Sequence, residues 1–338
     1  MRELLKALCC RDGVSGNETK VADYIIEQIK DVCEYRIDPL GNIIAFKQGK
    51  AAPKNKILID AHMDEVGLIV TSVCENGLLK FATVGGVDVS VLLAKRVRFE
   101  KTAGVITFKP IHLTDADSRK EYPEKDSLYI DIGARDKAEA ESLVQPGDVA
   151  CFDTEFLQAG DRILTKAIDD RAGCAQLIRL LQEESPYDFH AVFSVQEEVG
   201  LRGARTAAYT VAPDYAIVLE ATTAADLAGV PEDKQVCKLG QGVTLSFMDG
   251  GTLYDRDLYE TALFTAHRCG IAVQTKAGTS GGNNSGAIHL TRGGVKTVTL
   301  SVPCRYIHSP CSVADYRDIE ASKNLAKALI AALGEAKV

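Results

Sequence analysis

The strongest constraint on the fold of this chain is an interruption. From Ala191 to Val195 it is a short apolar run of strand length and β-branched character, and it stops at two adjacent carboxylates, Glu197 and Glu198, followed by Gly200 and Gly203. In an open α/β sheet, reactive groups gather in the crevice beyond the carboxyl ends of the strands. Two acids at such an edge repel each other unless a cation or a shared proton relieves them. Taken alone, a Glu-Glu pair is an ordinary solvated loop. The pattern recurs, however. The run Ile57–Ala61 ends at His62 and Asp64, and Tyr215 to Asp226 gives a strand carrying Glu220. The run from Lys296 to Pro310 is a buried strand followed by His308. Asp169 and Asp170 open an amphipathic helix (Ala167 to Glu184), where acids suit the helix dipole and capping is the ordinary explanation.

The intervening segments carry helical periodicity. Val21, Ile25, Ile26 and Ile29 recur at helical spacing within residues 1–34, with Ser15 and Glu18 placed as a capping box. Leu253–Arg268 and Val313–Leu333 read as further helices, and Gly240–Asp249 reads as a strand. From about Gly67 to Gly160 the character changes to short alternating strands divided by glycines and charged turns, with one helix at Lys137–Leu143. The expected architecture is therefore α/β: a mixed sheet flanked by helices over 1–66 and 161–338, with an inserted, mostly β domain at 67–160. Within the insert, His112 to Ser127 is a polar connection long enough to suggest either function or disorder. A second loop, rich in glycine and asparagine, runs from Ala277 to Leu290.

Composition narrows the classes of partner. With 46% hydrophobic residues, 338 residues can bury a sizeable core. The net charge of -8, without any block of consecutive lysines or arginines, argues against nucleic acid and against a membrane surface. No apolar run reaches the length of a membrane span, and the N-terminus reads as a short amphipathic helix rather than a signal peptide. The ten cysteines are scattered, with no CxxC pair. They are expected to be reduced thiols serving as small hydrophobes, which points to the cytoplasm.

His62, Asp169, Glu198, Glu220 and His308 thus share one topological edge. They suit two divalent cations, with Asp169 bridging, His62 and Glu220 on one ion, and Glu198 and His308 on the other. Three protein groups per ion leave open positions, as in a catalytic rather than a structural site. Three carboxylates against two dications leave one positive charge, which a bridging hydroxide, the expected nucleophile, would neutralise. Nitrogen and oxygen donors without thiolate suit zinc, with cobalt or manganese as alternatives. Glu197, not needed for coordination, is the candidate general base and acid. Asp64 is expected to orient His62, and Asp170 or Arg171 to brace the bridging carboxylate.

The motifs DAHMDEVGL, AIDDRAG, QEEVGLRGA and IHSP, with DPLGN and DIGA…QPGD, resemble the glutamyl-aminopeptidase/tetrahedral-aminopeptidase family of dinuclear metallopeptidases, also labelled cellulase M-like. The resemblance spans nearly the whole chain. It implies a zinc-peptidase α/β domain, a β insert used for dimerisation, and homo-oligomers that reach tetrahedral dodecamers and trim short peptides from the N-terminus. It places metal ligands on His62, Asp169, Glu198, Glu220 and His308 and the base on Glu197. Glu220 stands where aspartate is commoner, and Asn283 and Asn284 stand where Thr-Asp is commoner. With Gly282, these asparagines are expected to contribute to the substrate site. Other dinuclear-metal amidohydrolases (a carboxypeptidase or a deacylase) would use the same centre. A glycoside hydrolase would need two free carboxyls across a sugar bond, and the chain has no tryptophan to stack on a sugar. A non-catalytic assembly protein would have no use for a free Glu197.

Overall fold

A computed structural model describes residues 1–115 and 121–335. Among the described residues, eleven strands form one large sheet. Its centre is parallel: Phe189–Ser194, Ile57–His62, Tyr215–Thr223 and Lys296–Arg305 lie side by side in that order. Antiparallel strands extend it on both sides, through Ile43–Lys47 and Glu34–Ile37 at one edge and Ser312–Asp315, Arg162–Thr165 and Leu157–Ala159 at the other. Each central parallel strand is almost wholly buried, because helices cover both faces.

Strand alternation divides the core in two. Ile57, Ile59 and Ala61 pack with Leu5, Ile25, Leu177 and Leu329 from the helices Arg2–Cys9, Thr19–Ile29, Ile168–Gln182 and Tyr316–Glu335. Leu58, Val192 and Val218 face the other way, against Ala204, Ala208 and Ile288 of the helices Arg202–Val211 and Ser285–Ile288. That second face turns polar toward the carboxyl ends. Leu58 is followed on it by Asp60 and His62, Val192 by Ser194, and Val218 by Glu220. Register fixes the result, with Ser194 beside His62 and Glu220 beside Ser301.

Residues Gly67–Val73, Leu79–Val84, Ile130–Asp131, Ala103–Ile106, Arg96–Arg98 and Val149–Phe152 close a separate antiparallel barrel around its own core, including Leu68, Leu79, Val97 and Ile130. The Arg98 guanidinium ties it to the other unit, donating to Asp12 at 2.6–3.0 Å while also reaching Asp153 at 3.2 Å. The helix Lys137–Leu143 has the bounds its sequence suggests, capped by Asp136, which accepts from the Glu139 amide. The polar connection from His112 to Ser127 carries short 3-10 turns at Ile111–Leu113 and Lys125–Ser127, and its residues 116–120 lie outside the described ones.

Three local expectations are corrected. The capping box does not form, because the Ser15 hydroxyl donates to Asp64 (2.6 Å) and Glu18 accepts from the Gly16 and Gln196 amides. The last helix starts at Tyr316 rather than Val313, since Ser312–Asp315 pairs as a strand with both Arg162–Thr165 and Cys304–Arg305. The strand expected over Gly240–Asp249 shortens to Val243–Leu245. All ten cysteines are free thiols. Among the described residues, no helix is long and apolar enough to cross a membrane.

Candidate metal centre

Five side chains from separate segments meet at the carboxyl edge of the parallel strands, and Asp169 is the shared member. Its Oδ1 lies 3.0 Å from His62 Nε2 and its Oδ2 lies 3.3 Å from His308 Nε2. His62 Nε2 is also 3.6 Å from Glu220 Oε1, and His308 Nε2 is 3.2 Å from Glu198 Oε2. Two donor sets result, His62–Asp169–Glu220 and Asp169–Glu198–His308, each with its donor atoms within 4.8 Å of one another. The loops that deliver them are held in unusual conformations. Ala167, Gln196, Leu201, Tyr306 and His308 have φ between 55° and 59° without being glycine, a region that L side chains rarely adopt and that clusters at functional sites.

Burial and crowding dominate the electrostatics. Burial, then repulsion from Asp169, pushes the Glu198 carboxyl up to about 8 and Glu220 up to about 7. Glu197 is driven well above the usual carboxylate range by burial, with Glu220, Glu198 and Asp169 adding to it against the opposing pull of His62. Burial acts to raise Asp169 as well, but hydrogen bonds from His308 and His62 outweigh it and hold that carboxyl low. The hydrogen bond to Asp169 lifts His308 to about 9. Glu220 Oε2 is buried without a hydrogen-bond partner among the described residues. An orphaned carboxylate oxygen among other acids fits a site built around cations.

Asp64, itself fully buried, fixes two of these segments at once. Its carboxylate accepts the backbone amides of Glu197 (3.0 Å) and Glu198 (3.1 Å), holding the turn after Ser194. His62 Nδ1 sits 3.1 Å from the Asp64 carbonyl oxygen and 3.4 Å from its carboxylate, leaving Nε2 to face Asp169. Asp170 caps the regular part of its helix, accepting from the Gly173 amide at 2.9 Å. Arg171 does not reach the bridging carboxylate. Its guanidinium donates to the carbonyls of Met63, Leu8 and Arg11 and to Glu65, so it braces backbone instead. A further donor cluster, Asp12–Glu65–Cys151, is occupied by the Lys166 ammonium, 2.7 Å from Glu65 and 3.2 Å from Asp12.

The family model for M42 glutamyl aminopeptidases matches residues 41–325. The chain belongs to that family. Among its relatives, a putative aminopeptidase of Acetivibrio thermocellus is 38% identical, with 98% of each chain covered. A lysyl aminopeptidase of Pyrococcus furiosus is 35% identical over 97% of this chain and 96% of the relative. In three dimensions the M42 chain is similar to an aminopeptidase of the archaeon Desulfurococcus kamchatkensis, with a TM-score of 0.92 and 36% identity over 97% and 93% of the two chains. It is similar also to the Pyrococcus horikoshii TET1 peptidase, which can assemble into a tetrahedron or a large octahedral shell, with a TM-score of 0.87 and 35% identity over 97% and 98%. A Thermotoga maritima protein described as an endoglucanase superimposes with a TM-score of 0.81 at 36% identity, covering 96% of each chain. The chain is accordingly a hydrolase acting on peptides, and the two donor sets are groups that could hold metal.

Beside the donor sets of this M42 peptidase lies a cavity of about 300 Å³, into which Asp169, Glu197, Glu220 and His308 all face. Glu197 is half-buried there, and none of the described residues donates to its carboxylate. Gly282 and Asn283 line the same cavity. The two asparagine side chains turn inward. Asn283 Nδ2 donates to Asp249 and the Tyr254 hydroxyl, and Asn284 Nδ2 donates to Asp60 (2.6 Å) and the Ser194 hydroxyl (2.9 Å). Sequence reasoning missed Lys276, Thr222 and Ser301 in the wall. Ser301 was open to discovery, since parallel pairing of the last two central strands sets it beside Glu220. Lys276 follows a short edge strand, Val273–Thr275, and carries no such signal.

Proposed function

We propose that the M42 chain is a two-metal aminopeptidase that removes N-terminal residues from short peptides. The observation that carries this reading is the Asp169 carboxylate, each of whose oxygens faces a different imidazole. His62, Glu220 and Asp169 would hold one ion, and Glu198, His308 and Asp169 the other. Zinc suits these donors best, with cobalt or manganese as alternatives. Such a pair, when bound, acidifies a water and polarises the scissile carbonyl.

The chain's own residues supply the rest. Glu197 reaches the cavity without a competing donor, and acts as general base and then general acid, moving one proton from the attacking water to the leaving amine. Asp64 is a positioning residue: by accepting the Glu197 and Glu198 amides it fixes the base relative to the ligand beside it. The insert at 67–160, whose residues from Gly67 to Phe152 form the barrel, is the dimerisation unit and residues 1–66 and 161–338 the catalytic one. Assembly into dimers and on to a tetrahedral dodecamer is supported by the relative that forms closed shells. Ten unpaired thiols fit a reducing compartment, the cytoplasm. The endoglucanase reading is disfavoured, because the acids at this edge crowd around imidazoles and no tryptophan offers a sugar platform.

The test is a Glu197→Gln variant, loaded with zinc and assayed against aminoacyl-p-nitroanilides. Activity should fall by at least ~10²-fold with metal content by mass spectrometry unchanged. Equal activity in variant and parent would remove Glu197 from the mechanism. Hydrolysis of N-acetylated peptides at a rate matching free ones would remove the aminopeptidase reading in favour of a deacylase or carboxypeptidase.

A further inference from the structure

We infer that Glu18 is a positioning residue for the reaction: from the N-terminal segment it holds the turn that aims Glu197 into the cavity. This rests on the aminopeptidase reading with Glu197 as the base, and deepens it by naming what keeps that base in place.

With no donor to its carboxylate among the described residues, Glu197 is aimed through its backbone. Successive amides of the turn are each taken by a buried side chain. Val195 donates to Asn42 Oδ1 at 3.0 Å, Gln196 to Glu18 Oε1 at 3.2 Å, Glu197 to Asp64 Oδ1 at 3.0 Å and Glu198 to Asp64 Oδ2 at 3.1 Å. Gln196 is where the chain leaves the direction of the strand. Its φ is 55°, a left-handed conformation that a residue with a side chain keeps only when its surroundings impose it. The strained step thus falls immediately before the base, and Glu18 claims the amide of that step.

Glu18 is committed to this contact rather than to its own helix. It stands at the N-cap of Thr19–Ile29, yet its side chain caps none of that helix's amides, the ordinary use of a polar side chain in that place. The Gly16 amide fixes its carboxylate at 2.7 Å and leaves it turned toward Gln196. The stretch that carries Glu18 is itself tied to the edge that bears the donor sets. The Ser15 hydroxyl donates to Asp64 Oδ2 at 2.6 Å, the oxygen that also takes the Glu198 amide. The Ser15 amide donates to the Glu65 carbonyl at 3.3 Å, and the Glu65 amide donates to the Gly13 carbonyl at 2.9 Å. Residues Gly13 to Glu18 therefore bridge the turn after His62 and the turn after Ser194. Without the Glu18 oxygen Gln196 is free to relax and to carry Glu197 with it, while Asp64 still holds the Glu198 amide.

The test is a mutant cycle on the zinc-loaded enzyme, assayed on the best-cleaved of a panel of aminoacyl-p-nitroanilides, with zinc content and melting temperature followed alongside. Glu18→Ala should lower kcat by about tenfold, inside the ~10²-fold that a misplacement of about 1 Å can cost, with KM and zinc content unchanged. Glu18→Gln, which keeps an acceptor oxygen, should recover most of that loss. Because Glu18 acts only through Glu197, adding Glu18→Ala to Glu197→Gln should cost nothing further. Should Glu18→Ala fail to fold, Glu18→Asp takes its place in the cycle with the same expectation, since it keeps the charge but draws the oxygen back. A parent that loses activity in Glu197→Gln but keeps its kcat in Glu18→Ala overturns the inference and leaves the peptidase intact. So does an equal loss in both backgrounds, or a loss that tracks departing zinc, since either marks Glu18 as a general prop. A parent that cleaves no member of the panel ends the aminopeptidase reading, and a fully active Glu197→Gln ends the role of that base; the inference falls with either.

Discussion

The buried ion network behind the donor sets makes a stability prediction that can be worked through. Glu65 is 2% exposed, with Lys166 and Arg171 beside it at 1% and 0%. Both Glu65 oxygens lie 2.7 Å from Lys166 Nζ, and Oε1 also accepts from Arg171 (3.2 Å) and the Gly13 amide (3.0 Å). Glu65→Gln preserves the volume but removes the negative charge that Lys166 and Arg171 share, and turns an amide donor toward them. Breaking a buried pair by removing one partner destabilises by about 3–5 kcal/mol. Here the lower end applies, because Lys166 keeps Asp12 and the Arg11 carbonyl, and Arg171 keeps three backbone carbonyls. The expected loss of about 3 kcal/mol is a large part of a typical domain's stability.

The assay is chemical denaturation of the metal-free proteins, with Lys166→Met and the double variant completing a cycle. If the loss in Glu65→Gln is that of a stranded cation, Lys166→Met on top of it should recover a substantial part. A Glu65→Gln variant within about 0.5 kcal/mol of the parent, or a double variant showing simple additivity, would refute the reasoning. The network also matters for the site. Glu65 follows Asp64 directly, and Lys166 precedes the segment that carries Asp169, so Glu65→Gln should weaken metal retention as well as stability.

Three shorter predictions follow. Exhaustive chelation should abolish hydrolysis and lower the melting temperature, since ions binding only the folded state stabilise it by mass action; re-addition of zinc should restore both, and full activity in protein shown free of metal by mass spectrometry would end the two-metal proposal. Asn284→Asp would set a second carboxyl where the amide now meets Asp60 at 2.6 Å and should destabilise by roughly 2 kcal/mol or more, whereas Asp60→Asn/Asn284→Asp restores a donor–acceptor pair and should recover most of it; a double variant no better than the single, in a thermal melt, contradicts the contact. Burial works to raise Asp12, but the Arg98 guanidinium and the Lys166 ammonium bring it down to about 2 from an ordinary 3.8, so its stabilisation is complete above about pH 3.8 and is lost as pH falls toward 2; the stability gap between the parent and Asp12→Asn should close across that window, and a gap independent of pH would show that the ion pair is not its source.

How far the sequence could be read depends on what fixes each residue's position. The donor side chains were recognisable because strand topology alone brings them together. A residue at or beyond the carboxyl end of a parallel strand lies at the sheet's reactive edge whatever its neighbours do, which covers His62, Glu198, Glu220 and His308. The β character of residues 67–152 was equally open, since alternation with frequent turns reports local backbone preference. The misses arose where a local rule met a distant partner. Ser15 and Glu18 have the spacing of a capping box, yet Asp64 claims the Ser15 hydroxyl and the Gln196 amide reaches Glu18. Ser312–Asp315 resembles the first turn of a helix, until the flanking strands offer it two ladders.

Side-chain direction was the harder quantity, and it separates the two loop asparagines from Lys276. Composition marks Ala277–Leu290 as a loop, but it cannot say that Asn283 and Asn284 point under the sheet edge to Asp249, Tyr254, Asp60 and Ser194. Those partners include two buried acids, Asp60 on a strand and Asp249 in a turn, and only the assembled fold brings them to the loop. Both amide nitrogens are thereby committed to holding the loop down, while Asn283 also lines the cavity. The rest of the wall combines hydroxyls, glycine backbone and the Lys276 ammonium with the apolar Ala221, Val236 and Ile307. The asparagines therefore set where Gly281 and Gly282 of the same loop stand in the cavity wall, a placement that composition does not reveal.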